Sequence, residues 1–137
     1  MNKTITLLIL SILLFATSCS KEEENPNTEL LSSTAWKIVA GSVGGLEESL
    51  SDCDFDDRYY YRSDGTYEYN NGAEKCFSDD PEEIIGTWEL VDDGNKIHIV
   101  AGGDDQNVDI IELTETRLVW ETSSFLGTLR QEFEAVE

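Results

Sequence analysis

The feature that most constrains this chain is a series of eight short segments rich in β-branched and aromatic residues, separated by turn-forming residues. Ser63-Asp64-Gly65 and Asp92-Asp93-Gly94-Asn95 are typical separators, and both favour tight hairpins. Connections this short make neighbouring strands antiparallel, because a parallel pair needs a long crossover. The eight predicted strands cover residues 36–39, 58–62, 66–69, 87–91, 96–100, 108–113, 117–122 and 128–133.

Alternation along these segments separates an apolar face from a charged one. Tyr59 and Tyr61 point to one side of their strand and Arg58 to the other, and the remaining segments repeat the pattern. A meander with one apolar face hides that face best by closing into a barrel, which also removes the unpaired strand edges. The sequence therefore predicts an all-β fold, a single small eight-stranded antiparallel up-and-down barrel over residues 30–137. The one helix expected is a turn or two over residues 46–51.

The first residues have the pattern of a signal peptide. Lys3 supplies a positive start, residues 7–15 are apolar apart from one serine, and residues 16–18 are small. The apolar run is too short for a transmembrane helix, which needs about 20 residues. Ala16-Thr17-Ser18-Cys19 resembles a bacterial lipobox, which implies removal of residues 1–18 and lipidation of Cys19. The alternative is an ordinary secretory signal in which Cys19 is incidental.

The residues after Cys19 support the lipoprotein interpretation. Ser20-Lys21-Glu22-Glu23-Glu24 resembles the acidic export tag of surface lipoproteins of Bacteroidetes. Several acyl chains on one residue are enough for stable membrane anchoring. We therefore expect residues 19–29, which include Asn25-Pro26-Asn27, to form a lipidated cysteine and an acidic flexible tether. The expected location is the outer membrane, with the protein lipid-anchored and exposed at the cell surface.

The charge of the chain excludes one class of partner. It has 29 acidic and 9 basic residues, a formal net charge of -20. Removing residues 1–18 takes away Lys3 and no acid, so the mature chain is one unit more negative. Phosphate attraction is the largest sequence-independent term in nucleic-acid binding, and here it becomes repulsion. We expect no nucleic-acid partner; the expected partners are the membrane, through the lipid anchor, and a small apolar ligand or an envelope protein.

Two cysteines remain besides Cys19. In an exported protein, Cys53 and Cys76 are most simply a disulfide. A metal pair is the poorer alternative, because neither cysteine has a second cysteine or a histidine at ligand spacing.

The acids near Cys53 have the opening rhythm of a calcium loop, Asp52-x-Asp54-x-Asp56-Asp57. The sixth position would be Asp57 instead of glycine and the twelfth Ser63 instead of glutamate, which excludes an EF-hand. We expect a solvated acidic surface, with no metal site and no cofactor. Catalysis is not expected either, because the single histidine, His98, lies on the polar side of a predicted strand and no nucleophile set can be assembled.

Between residues 53 and 114 the chain carries an ordered set of short motifs. They are Cys53, Asp56-Asp57, Tyr59-x-Tyr61, Asp64-Gly65-Thr66-Tyr67-x-Tyr69, Gly72-Ala73-x-Lys75-Cys76, Gly86-Thr87-Trp88-x-Leu90 and Glu112-Leu113-Thr114. Together they resemble the lipocalin-like domain found in many Bacteroidetes lipoproteins. Trp36 would align with the tryptophan of the opening Gly-x-Trp motif of lipocalins. The resemblance implies a small calycin-type barrel, one domain, and no assigned catalytic residues.

The predicted function is a binding or interaction module on a lipid anchor, as a monomer, holding a small apolar ligand. The alternative is a barrel filled by its own side chains, an adaptor that contacts envelope proteins or glycans through its loops. An interior cavity favours the first and a packed interior the second. The candidate ligand-binding residues, which could equally be core, are Trp36, Tyr59, Tyr61, Tyr67, Tyr69, Trp88 and Gln131.

Overall fold

A computed structural model describes residues 24–137, so the predicted signal peptide and Cys19 lie outside the described residues. A two-residue strand, β2, and two short helices accompany eight longer strands. The elements are α1 (Pro26–Ser32), β1 (Ala35–Val43), β2 (Leu46–Glu47), α2 (Asp52–Phe55), β3 (Arg58–Tyr61), β4 (Thr66–Asn70), β5 (Glu83–Val91), a 3-10 turn (Asp92–Gly94), β6 (Lys96–Ala101), β7 (Asp104–Leu113), β8 (Arg117–Ser124) and β9 (Gly127–Val136). In this part of the chain no helix is long and apolar enough to cross a membrane.

The eight longer strands form a closed barrel. Each of β3 to β8 pairs antiparallel with the next strand, β1 pairs with β3, and β9 returns to pair with β1 along most of its length. Strand β2 pairs only with the end of β1, outside the closed ring. The predicted up-and-down barrel is confirmed, and each of the eight predicted strands corresponds to one strand of the ring.

The barrel interior is packed along most of its length. Inward residues predicted from the alternation, such as Tyr61, are buried, whereas the outer face is largely polar with Ile85, Val100 and Ile111 also exposed on it. Aromatic rings pack edge to face inside, as for Tyr61 and Trp88, whose ring centroids lie 5.5 Å apart. The core consists of Leu31, Trp36, Ile38, Tyr61, Trp88, Ile97, Ile99, Val108, Leu118, Trp120 and Phe133.

Helix α1 closes one end of the barrel. Leu31 on this helix is completely buried against the core. The Trp36 indole Nε1 donates a hydrogen bond to the Leu31 carbonyl at 3.0 Å, which fixes the end of the helix to the first barrel strand. Because β1 begins at this end, the turns at 62–65, 92–95 and 114–116 lie here too, and the remaining connections lie at the opposite end.

The flexible tether expected over residues 25–29 is wrong, because the chain is helical from Pro26. The Asn25 side chain caps the helix by accepting from the Asn27 N–H at 2.9 Å, and proline suits the first helical turn. The side-chain amides of Asn25 and Asn27 donate to the carbonyls of Asp93 (3.1 Å) and Gly94 (3.0 Å) in the β5–β6 turn. Local capping and distant hydrogen bonds thus order residues that look like linker in the sequence.

The helix expected over residues 46–51 is also wrong. Gly44 and Gly45 both have positive φ and form the turn of a small hairpin, so that Leu46 and Glu47 pair with β1. The helix of this region, α2, begins at Asp52 instead. The Ser51 N–H donates to the Asp54 carboxylate at 2.7 Å, the contact of a capping box.

Candidate ligand-binding site

The barrel end opposite α1 opens into a cavity of about 220 Å³. Here the wall includes two small residues, Ala101 at the end of β6 and Gly102 in the β6–β7 turn, while β3 and β4 contribute tyrosines. The polar side chains of Asp104 and Gln106 lie at the exposed rim. The aromatic and aliphatic part of the wall consists of Tyr59, Tyr67, Tyr69, Ile84, Ile99 and Ala101.

The tyrosines are held by strand register and by contact with one another. Tyr59 on β3 pairs with Tyr69 on β4, and their ring centroids lie 5.2 Å apart. Tyr59 also packs edge to face on Phe133 at 5.1 Å, which connects the cavity wall to the core. Burial raises the pKa of Tyr67 to about 12 and raises the pKa values of Tyr59 and Tyr69 further. All three are neutral phenols near pH 7.

The structure places the seven candidate ligand-binding residues in different environments. Tyr59, Tyr67 and Tyr69 line the cavity, but the other four do not. Trp36, Tyr61 and Trp88 are packed in the core, where the Trp88 Nε1 donates to the Arg62 carbonyl at 2.9 Å. Gln131 is half-buried on β9, opposite Gly41 and Trp120.

A second compartment of about 270 Å³ adjoins the first and shares Tyr69 and Ile84 with it. Its distinctive residue is Asp57, which is only 4% exposed and lies just before β3. Asp57 Oδ2 accepts a hydrogen bond from the Tyr69 hydroxyl at 2.7 Å, whereas Oδ1 meets no donor within residues 24–137. Burial raises the pKa of Asp57 to about 6, and Asp54, Asp56 and Asp80 raise it too. Asp57 is thus a buried carboxylate with one free oxygen.

The wall of this compartment is held by a short polar network. The Tyr69 hydroxyl also lies 3.2 Å from Asn71 Oδ1, and the Asn71 Nδ2 donates to the Pro81 carbonyl at 3.1 Å. Asn71 is 2% exposed, so nearly all of its hydrogen bonding is within the protein. The network connects the end of β4 to the far side of the loop 71–82.

The same loop is fixed from α2 by a carboxylate and a covalent bond. Asp56 Oδ2 accepts from the backbone N–H groups of Ala73 (2.8 Å) and Glu74 (3.0 Å). Gly72 adopts a positive φ of 55° beside this carboxylate, which occupies the space that a Cβ atom would need. The Cys53–Cys76 disulfide predicted from the sequence is confirmed, with its Cα atoms 5.3 Å apart.

The acidic residues whose spacing resembles a calcium-binding loop therefore have different structural roles. Asp54 caps α2, Asp56 binds loop backbone, and Asp57 turns into the barrel mouth. In residues 24–137, the one group of three potential metal ligands close together is Cys53, Asp54 and Cys76, and both of its sulfurs belong to the disulfide. A disulfide sulfur is not a thiolate ligand, so this group offers a metal ion a single carboxylate.

His98 lies on the outer face, as its place in the alternation predicts. Its ring nitrogens lie 3.2 Å from a Glu89 carboxylate oxygen and 2.8 Å from an Asp105 oxygen. Hydrogen bonds to Asp105 and Glu89 raise the pKa of His98. This surface cluster is separate from the cavity at the barrel mouth.

Sequence reasoning missed Asp57 and Asn71, yet the alternation contained the signal. Asp57 is in phase with Tyr59 and Tyr61, and Asn71 is in phase with Tyr67 and Tyr69, so both continue an inward-facing row. A polar residue that continues an apolar row at the end of a strand is expected to point into the mouth of the barrel.

Comparison with known proteins agrees with this architecture. The sequence profile of the lipocalin-like domain family matches residues 33–120, from before β1 into β8. A solved structure described as a lipocalin-like protein from Bacteroides uniformis shares the fold, with a TM-score of 0.57 and 13% identity, over 78% of this chain and 99% of that chain. No curated protein matches this chain. With a profile match over more than half of its length, the chain belongs to the lipocalin-like domain family.

Proposed function

We propose that this protein is a lipid-anchored lipoprotein of the outer membrane, exposed at the cell surface, whose barrel holds a small apolar ligand. The role is binding without catalysis, by a monomer. The observation that carries the binding role is the tyrosine-lined cavity of about 220 Å³ at one end of a barrel that is otherwise packed. Pockets for drug-sized ligands start at about 300 Å³, so the proposed ligand is smaller, of the size of a single substituted ring.

Filling the cavity should weaken this binding. Gln106 lies at the rim, and a tryptophan in its place reaches over the tyrosines without replacing a core residue. We expect Gln106→Trp to weaken binding of para-fluorotoluene at least about tenfold, the equivalent of 1.4 kcal/mol. Fluorine NMR of the probe, titrated with protein, measures the affinity.

Asn107→Trp is the matched control, because the next residue on β7 points to the outer face. It should leave the affinity unchanged. If the unsubstituted protein does not bind para-fluorotoluene or other single-ring probes at millimolar concentration, the binding role is wrong.

The lipid anchor has its own test. The acyl chains at Cys19 are the proposed membrane attachment, so Cys19→Ala should move the protein from the membrane pellet to the soluble fraction. Fractionation of cells of the native host, followed by a salt wash, measures this, and Ser20→Ala is the control that should stay in the pellet. A Cys19→Ala protein that remains in the washed pellet contradicts the anchor.

The adaptor function has one observation in its favour. Phe125 is 95% exposed, Leu126 65% and Leu46 77%, and all three lie at the open end. The turns that carry them adjoin, since the Gly44 N–H donates to the Thr128 carbonyl at 2.9 Å. Exposed apolar residues at adjoining turns are typical of a protein contact. In this function the barrel rim meets an envelope protein, and the cavity stays empty.

A further inference from the structure

We propose that the ligand of the open end is a small organic cation, an ammonium group attached to an apolar or aromatic body. The ammonium binds Asp57 and the body packs on the neighbouring tyrosines. This inference rests on the proposed function, since it names the chemical class of the ligand for the same site.

The first step is the state of Asp57. Its side chain is 4% exposed, and Oδ1 has no donor within the described residues. Burying a charged group without hydrogen-bond partners is costly, and such groups are rare in folded proteins. An ammonium group has N–H donors and a positive charge, so it would supply the hydrogen bond and the counter-charge that this oxygen lacks.

The second step is that residues 24–137 provide no counter-charge for this site. The Arg58 guanidinium donates to the carbonyls of Phe55 (3.1 Å) and Asp57 (2.7 Å) and not to a carboxylate. Lys75 Nζ donates to the Asp80 carbonyl at 3.0 Å. In residues 24–137 no basic side chain forms an ion pair with Asp54, Asp57 or Asp80. The compartment therefore repels anions and attracts cations.

The third step is the aromatic wall beside the carboxylate. Tyr69 belongs to both compartments, so one ligand can contact Asp57 and the tyrosine cavity together. Tyr59 and Tyr67 complete the wall on the far side of Tyr69. Neutral tyrosine rings bind apolar groups and also attract cations through their π faces. The pairing of a free buried carboxylate with phenol rings fits an ammonium on an apolar body.

The same residues fit a divalent metal ion poorly. Calcium takes six to eight oxygen ligands. Asp56 Oδ2 is already used by two backbone N–H groups and Asp57 Oδ2 by Tyr69. The described residues hold no group of three carboxylates within metal-binding distance of one another. Asp56 Oδ1 is also buried without a partner among the described residues, but Asp56 does not line the compartment, so Asp57 offers the one unpartnered carboxylate oxygen there. That oxygen and an apolar wall suit an organic cation better.

The test compares para-fluorophenethylamine with para-fluorophenylethanol, which has the same body without the charge. At pH 7.5 the amine should bind at least about tenfold more tightly, because the alcohol keeps a hydrogen-bond donor but lacks the positive charge that pairs with the Asp57 carboxylate. Asp57→Asn should reduce the affinity for the amine to about that for the alcohol and change the affinity for the alcohol much less. Asp79→Asn removes the same charge from an exposed residue of the same loop and should leave both affinities unchanged. Fluorine NMR measures all six combinations.

Protonation gives a second measurement on the unsubstituted protein. The amine should lose affinity as the pH falls through about 6, since the buried Asp57 carboxyl, whose pKa the facing acids Asp54, Asp56 and Asp80 also raise, becomes neutral. The alcohol should show no such dependence. The phenol of Tyr69 stays neutral throughout.

The folding of Asp57→Asn can be checked independently. The folded-state pKa of Asp57 is about 6, above the value of about 3.9 for an unfolded aspartate, so the ionised side chain destabilises the folded protein near neutral pH. The variant should melt at the same or a higher temperature than the unsubstituted protein at pH 7.5. That difference should disappear at pH 4, where folded Asp57 is protonated.

The outcomes separate this inference from the proposed function. Equal affinities for amine and alcohol would overturn the proposal that the ligand is an organic cation, and would not contradict the binding of a small apolar ligand. Failure of both compounds to bind would overturn both. Displacement of the amine by micromolar Ca²⁺, with no effect of Mg²⁺ at matched ionic strength, would mean a metal site and would also overturn the organic cation.

Discussion

Trp36→Ala is expected to lower the free energy of unfolding by about 3–5 kcal/mol, as large-to-small substitutions of buried aromatic residues do. The Trp36 side chain is completely buried. Its indole also donates to the Leu31 carbonyl, so the substitution removes the contact that joins α1 to the barrel. Small domains are stable by only about 5–15 kcal/mol, and this change would remove a large part of that stability. Urea denaturation followed by circular dichroism measures it.

Tyr60→Ala is the control for Trp36→Ala. Tyr60 is half-buried on the outer face of β3, where the Arg62 guanidinium stacks 4.9 Å from its ring centre. We expect a loss of about 1 kcal/mol or less, since an exposed cation–π contact contributes about that much. Similar losses for Trp36→Ala and Tyr60→Ala would contradict the role of Trp36 in the core.

Replacing both Cys53 and Cys76 with serine is expected to lower the melting temperature by roughly ten degrees or more. The two cysteines are 23 positions apart, and a loop of that length contributes about 3 kcal/mol through the entropy of the unfolded chain. Replacing both avoids a new free thiol. Differential scanning calorimetry of the oxidised protein and the double variant measures the effect.

Reduction offers the matched comparison. The unsubstituted protein in a reducing buffer should melt close to the double variant, and the variant should be insensitive to the reductant. A shift of less than two degrees in both experiments would show that the network of Asp56, Tyr69 and Asn71 holds the loop 71–82 without the bridge.

The strands could be predicted from the sequence because their signals are local. Alternation places every second residue on the same face, and Gly65 and Gly94, at positive φ, mark the ends of hairpins. Closure follows from the single apolar face, since β9 has only β1 left to pair with. Nothing beyond neighbouring residues was needed for these predictions.

Helix α1 could not be predicted because its stabilising contacts are distant in sequence. In the sequence Pro26-Asn27 resembles a linker. In the structure the Asn27 side-chain amide donates a hydrogen bond to the Gly94 carbonyl, 67 residues away, and this contact orders the segment. Leu31 gives no signal of its own, because its burial depends on the finished barrel. The helix expected over residues 46–51 does not form, and the reason here is local. The Gly44-Gly45 turn lets Leu46 and Glu47 pair with the end of β1.

The residue types of the site could be predicted from the sequence, but their positions along the barrel could not. Alternation identifies tyrosines that point inward, but their distance from the end of the barrel depends on how the strands are staggered. That stagger places Tyr61 deep in the core and leaves Tyr59 and Tyr69 at the mouth. Asp57 could have been found by extending its row one step further.

Because α1 closes one end of the barrel and the other end is open, the two ends of the molecule differ. Pro26 lies seven positions after Cys19, and a fully extended chain of that length reaches about 25 Å. If Cys19 carries lipid as proposed, the plugged end stays within that distance of the bilayer and the mouth can face away from it. Such a protein would sample the aqueous surroundings of the cell, and its ligand would arrive from the medium instead of from the lipid beneath it.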